Sequence, residues 1–253
     1  MKPVSAVSFL ALALAACPLP AQPKPPTGNP VQGIHLAEDP HFRLMYENDD
    51  IQVYELTVPA HQSTLLDSHG NSSLFVMFDQ STVSVQSPGQ APVQLTLPDG
   101  AVRYSAAGVP QTLANDAAQP FHALVIVFLN PRLTARGCSC NGGSADAICE
   151  CPNSQPLPSV WSKRIGQVEL QGVTLAPGAT FEDTSTRTTR FLVAITPLDI
   201  LDSSIHEPKN LKVLLPKGRF HWLSPGPHTI QNLGSQPIRF VSVEFYGTER
   251  EDD

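Results

Sequence analysis

Leu97 to Phe128 reads LPDGAVRYSAAGVPQTLANDAAQPFHALVIVF, and Leu215 to Phe245 reads LPKGRFHWLSPGPHTIQNLGSQPIRFVSVEF. The second stretch repeats the first. Both open Leu-Pro-x-Gly, part by a one-residue gap just after Gly108 and Gly226, and then stay in register. Asn115-x4-Pro120 answers Asn232-x4-Pro237, and both stretches close on Phe. Upstream, ELTVPA from Glu55 matches VTLAPG from Val173, and LFVMF from Leu74 matches FLVAI from Phe191. The separation holds at 117 to 118 residues throughout, which a tandem duplication explains and coincidence does not.

Each copy is built of short runs rich in Val, Phe and Leu. VYELTV, LFVMF, STVSVQ, HALVIVF and RFVSVEF are bounded by Pro, Gly, Asn and Asp, the punctuation of strands and turns. In RFVSVEF, Val241, Val243 and Phe245 share one face at period two, and Phe240, Ser242 and Glu244 share the other. No apolar segment beyond the first residues keeps a helical period. The expected fold is all-β, two antiparallel sandwiches or barrels in tandem.

Composition narrows the function. Charged residues make up 15% of the 253, the net charge is −7, and no basic stretch is present to track a phosphate backbone, so nucleic acid is excluded as a partner. Residues 1–21, MKPVSAVSFLALALAACPLPA, read as an export signal whose apolar run, Val4 to Ala16, is too short to span a bilayer. Two cleavage sites compete. Leu14-Ala15-Ala16-Cys17 resembles a lipobox, which would lipidate Cys17; an ordinary peptidase would cut after Ala21. The mature chain is expected outside the cytoplasm, periplasmic, secreted or lipid-anchored, with no transmembrane span.

A Pro-rich linker, 22–34, leads to the first β unit at 35–135; a Cys-rich linker, 136–158, joins it to the second at 159–247, and an acidic tail, 248–253, follows. In CSCNGGSADAICEC, Cys138, Cys140, Cys149 and Cys151 form two C-x-C pairs around a Gly/Ser-rich loop. They can staple a hairpin with two disulfides or hold a zinc ion as an all-cysteine set. Export to an oxidising compartment favours the disulfides.

The repeated stretch resembles the second motif of the cupin superfamily, G-x5-P-x-G-x2-H-x3-N. Gly100, Ala106, Gly108, Gln111 and Asn115 take those places in the first copy, with Ala for Pro and Gln for His. Gly218, Gly226, His228 and Asn232 take them in the second, one residue short. The resemblance covers about residues 35 to 247 and implies a bicupin, two RmlC-like jelly rolls. The first cupin motif, which in that family supplies two His and a Glu to a divalent metal, is degraded. In the first copy Asp67-Ser68-His69 stands for H-x-H and Ser73 for Glu; in the second Thr184 and Thr186 replace the two His and Arg190 falls near the Glu.

The resemblance implies at most a weak metal set in the N-terminal barrel, Asp67, His69 and Gln111, for Fe, Mn, Zn or Ni, and none in the C-terminal one. Arg190 would repel a cation, and His228 alone cannot hold one. Pocket lining is expected from Tyr104, His122, Trp222 and His228. No catalytic residue, no Ser–His–acid elbow, P-loop or dinucleotide fingerprint is assigned. The expected function is a non-catalytic module binding a small molecule or a cell-envelope partner, free to form homo-oligomers. The alternative is a metal-dependent dioxygenase, decarboxylase or isomerase using the N-terminal barrel.

Overall fold

The computed structural model describes residues 35–67, 70–108, 110–130, 148–149, 160–165, 167–185, 189–204 and 210–246. Apart from a single 3-10 turn at Leu36–Glu38, every regular element among them is a strand. In the first copy these are β1 (Phe42–Glu47), β2 (Ile51–Val58), β3 (Ser73–Phe78), β4 (Ser81–Gln86), β5 (Val93–Leu97), β6 (Val102–Ser105), β7 (Thr112–Asn115) and β8 (Phe121–Phe128). A two-residue strand, β9 (Ile148–Cys149), precedes the second copy. That copy runs β10 (Val160–Ile165), β11 (Val168–Leu175), β12 (Thr180–Asp183), β13 (Thr189–Ala194), β14 (Leu198–Ser204), β15 (Leu211–Leu215), β16 (Phe220–Leu223), β17 (His228–Asn232) and β18 (Ile238–Phe245).

Each copy folds as two antiparallel sheets, a larger and a smaller. The first pairs a sheet of order β1-β2-β8-β3-β6-β9 with one of order β5-β4-β7; the second pairs β10-β11-β18-β13-β16 with β12-β17-β14-β15. These are tandem jelly-roll barrels, and the duplication is kept in the ladders themselves. Ile51 faces Phe128 across β2 and β8, and Val168 faces Phe245 across β11 and β18. Ser73 faces Val127, and Arg190 faces Glu244.

Three cores result, one inside each barrel and one between them. The N-terminal interior holds Tyr54, Leu56, Met77, Val83, Leu97, Phe121 and Val125; the C-terminal interior holds Leu175, Leu192, Leu198, Ile200, Ile230 and Phe240. The third core draws on both copies, with Leu74, Ile126 and Phe128 against Phe191, Val243 and Phe245. The large sheets are therefore apolar on both faces at their centres, where β8 and β18 bury nearly every residue. Each fully buried Phe or Leu contributes about 1.5–3 kcal/mol relative to exposure. Both barrels fall in one unit, Val31–Asp253.

The contact between barrels is pseudo-symmetric. Phe128 and Phe245, equivalent positions, meet edge to face with ring centroids 6.3 Å apart. The two Leu-Pro-x-Gly turns cross over. A Cβ on Gly100 would lie 3.3 Å from Ile195, and one on Gly218 would lie 3.4 Å from Phe78, the residue equivalent to Ile195. Both glycines have positive φ, 76° and 79°, so the turn needs glycine for its backbone as well as for its closeness.

The repeated Asn-x4-Pro has a physical reason. Asn115 donates its amide to the carbonyls of Val58, Pro59 and Gln119 and accepts from Ala117 N. Asn232 does the same with Leu175, Gln236 and Gly234 N. Each asparagine satisfies buried backbone groups where two strands change direction.

Candidate functional site

Residues equivalent to a metal centre converge inside each barrel, and the two interiors have diverged. In the C-terminal barrel Arg190 projects inward from β13 and is fully buried. Its Nη1 lies 2.8 Å from Asp183 Oδ1 and donates to the Ser185 carbonyl, while Nη2 donates to the carbonyl of Gly226. Asp183 stands opposite His228 in the ladder, as Asp67 stands opposite Gln111 in the first barrel. Asp183, not Thr184, is thus the counterpart of Asp67. Thr184 is exposed, and Thr186 lies outside the described residues.

His228 is buried beside this pair. Its Nδ1–H donates to Asp202 Oδ1 at 2.5 Å, and its Nε2 lies 2.9 Å from the Ser224 carbonyl and 3.1 Å from Ser224 Oγ. His221 Nε2 approaches the other Asp202 oxygen at 3.1 Å. Burial alone would push the Asp202 carboxyl upward, but hydrogen bonds from His221 and His228 overcome it and hold the group below its ordinary value. Glu244 moves the other way. Burial raises it and outweighs the hydrogen bond from Ser185. The order Asp202–His228–Ser224 has the connectivity of a hydrolytic triad, but Nε2 lies closer to the Ser224 carbonyl than to its hydroxyl.

The N-terminal interior holds a small, mostly apolar cavity. It measures about 30 Å³ and lies between Phe42, Phe75, Met77 and Leu113, with Asp67, Arg103 and Gln111 as its polar lining. That is room for about two waters or a ligand fragment of that size. Asp67 and Gln111 exchange backbone hydrogen bonds, each 3.0 Å, which fixes both side chains at the cavity wall. Gln111 Nε2 donates to Ser105 Oγ, and its buried Oε1 has no partner among the described residues.

Of the residues expected at these sites, Asp67, Gln111 and His228 lie inside the barrels. Tyr104, His122 and Trp222 do not. Tyr104 belongs to the core between barrels and donates its hydroxyl to Ser72. Trp222 packs there at a tilt against Tyr46 and edge to face against Phe191. His122 is on the strand face of Leu124, Ile126 and Phe128, which also looks toward the other barrel. Inward-facing side chains come one position earlier on β6 and β16, Arg103 and His221. Motif spacing finds a strand but not which of two apolar faces is the interior. His69, Cys17, Cys138, Cys140 and Cys151 lie outside the described residues, as does the side chain of Cys149, whose backbone pairs with Tyr104.

The C-terminal interior does not fit a transition metal, because it places a guanidinium where a ligand would be. In the N-terminal interior the described residues offer one carboxylate and one amide oxygen beside Arg103, and the third expected ligand, His69, lies outside them. Among the described residues no three His, Cys, Asp or Glu side chains cluster as a metal-binding group.

No family model matches the sequence, and no curated protein does. Solved structures do match in fold. AerE from Microcystis aeruginosa superposes with a TM-score of 0.55 at 11% identity, over 81% of this chain and 97% of that one. A Bacillus subtilis oxalate decarboxylase variant superposes at 0.56 and 12%, over 86% and 78%. Procruciferin, an 11S globulin from Brassica napus, superposes at 0.55 and 10%, over 78% and 76%. The Bacillus enzyme has been studied for its Mn(II) centres. The chain therefore has the bicupin fold, a scaffold used by an enzyme and by a globulin alike.

Proposed function

We propose that this chain is an exported, non-catalytic bicupin whose N-terminal barrel receives a small ligand and whose C-terminal barrel is a closed structural half. One observation carries the reading. The fully buried Arg190, paired with Asp183, fills the place a metal would need. In the N-terminal barrel the unsatisfied Gln111 oxygen faces a site for a hydrogen-bond donor, from a small molecule or from a group on an envelope partner. Export rests on the first 21 residues alone. Among the described residues no helix is long and apolar enough to cross a membrane.

A second reading keeps a catalytic Fe, Mn, Zn or Ni at Asp67, His69 and Gln111, and the convergence of Asp67 and Gln111 on one cavity favours it. Metal analysis of the purified protein separates the two. The expected result is no stoichiometric metal that depends on His69. A metal present in the wild type and lost in His69→Ala would overturn the non-catalytic reading; one lost only when the four linker cysteines are replaced would be a cysteine zinc site.

A further inference from the structure

We infer that residues 63–67 form a movable wall of the N-terminal cavity and that the buried carboxylate of Asp39 is its latch. The inference rests on the reading of that cavity as a ligand site and concerns how a ligand enters it. A one-residue difference between the two copies sets this wall apart. Ser63 pairs with Ala114 and Asp67 with Gln111 as isolated bridges, so four steps along the segment answer three along the facing chain. In the second copy Thr180 pairs with Gln231 and Asp183 with His228, three steps against three in an unbroken ladder. The extra residue makes the N-terminal segment a bulge. Its hydrogen bonds show the break. Leu113 N–H donates to Thr64 Oγ1 at 2.9 Å in place of a backbone carbonyl. Leu65 N–H leaves the ladder and donates to Asp39 Oδ2 at 2.7 Å.

Asp39 belongs to residues 35–41, a strap across the outside of the bulge. Leu36 pegs the strap into the N-terminal core, against which Phe42 also packs. Asp39 is 1% exposed, and its Oδ1 accepts from His41 N at 2.9 Å. A carboxylate that accepts a backbone N–H makes a strong, charge-assisted bond, so this one contact ties the strap to the wall. His61, just before the wall, holds a φ of 59°, uncommon outside glycine, and its N–H is anchored on the Asn115 carbonyl. That residue is the pivot. Apart from Phe42 and Gln111, the rest of the cavity lining sits on β2 to β7, each bonded to a neighbour in a sheet. Asp67, Arg103 and Gln111 are buried, so a ligand reaches them only when a wall moves. Local opening takes the least attached segment, and here that is the bulge behind its latch.

Thiol labelling tests the latch. Met77→Cys puts a thiol on the cavity lining, and Leu192→Cys puts one in the C-terminal core as the control. Methyl methanethiosulfonate reacts only with a thiolate it can reach, and the mass of the peptide carrying the new cysteine reads the rate. Adding Asp39→Ala should speed labelling at position 77 about tenfold and leave position 192 within about twofold. No change at position 77 overturns the inference. Equal acceleration at both positions overturns it too, because Asp39 would then support only the whole fold. Should a cysteine variant fail to fold, amide exchange in Asp39→Ala alone decides. Thr64 and Asp67 keep their own N–H bonds to the carbonyls of Leu113 and Gln111, yet both should exchange faster while Leu124 of β8 does not. Unchanged or uniformly faster exchange overturns the latch. Neither measurement uses a ligand, so a failed latch leaves the ligand reading standing, and that reading falls separately to the metal analysis above.

Discussion

Asp202 shows at the scale of one residue how burial and partners set a charge. The two histidines hold its carboxyl low in the folded barrel, whereas the unfolded chain leaves it at its ordinary value. A carboxyl with a lowered folded value adds stability above the unfolded value, and that stability is lost as pH falls through the folded one. Wild-type stability should drop below about pH 4. Asp202→Asn should remove that part of the drop while costing stability at pH 7, as measured by urea unfolding across pH. Asn232 makes a separate prediction. Its side chain donates to the carbonyls of Leu175 and Gln236, so Asn232→Ala should cost roughly 2–3 kcal/mol in the same assay.

At the scale of the element, the strands were legible and their faces were not. STVSVQ coincides with β4, and RFVSVEF lies within β18, because turn formers bound each run. The duplication was legible for the same reason, its 117-residue offset being the offset of the hydrogen-bond ladders. Face assignment failed where both faces are apolar. On β18, Val243 packs between barrels, and the more polar face of Ser242 and Glu244 turns inward, the reverse of the usual rule. The Asp202 position carries a signal in the sequence. LDILDSS in β14 breaks its alternation at Leu201, which puts Asp202 on the apolar face of Leu198 and Ile200, and an acid there aligned with Val85 of the copy marks an interior that has changed chemistry. The outermost strand of the small sheet, β15, makes its own prediction. Leu214 is 70% exposed there, and Leu211 is exposed as well. Leu214→Lys should change stability by less than about 0.5 kcal/mol and reduce concentration-dependent association in sedimentation, since unpaired edges with apolar side chains recruit other chains.

For the whole molecule, the junction between barrels decides what the fold can become. Two turns that were once identical now carry opposite charges, Asp99 in one and Lys217 in the other, 3.9 Å apart. Arg239 reaches Asp99 at 2.5 Å, and Lys217 reaches Asp79 at 2.5 Å. These pairs are part-exposed, so each is worth about 1 kcal/mol or less. Their sign selects the partner. Lys217→Asp should lower stability by about that amount, more at low salt than at high, because it brings three carboxylates together. The apolar face behind them does most of the holding, with Phe128 and Phe245 at its centre. A second link crosses the junction in β9, which pairs with β6 of the first barrel. Expressed as two separate polypeptides divided between residues 131 and 147, the halves should find each other and elute as a one-to-one heterodimer, a protein reassembled by fragment complementation.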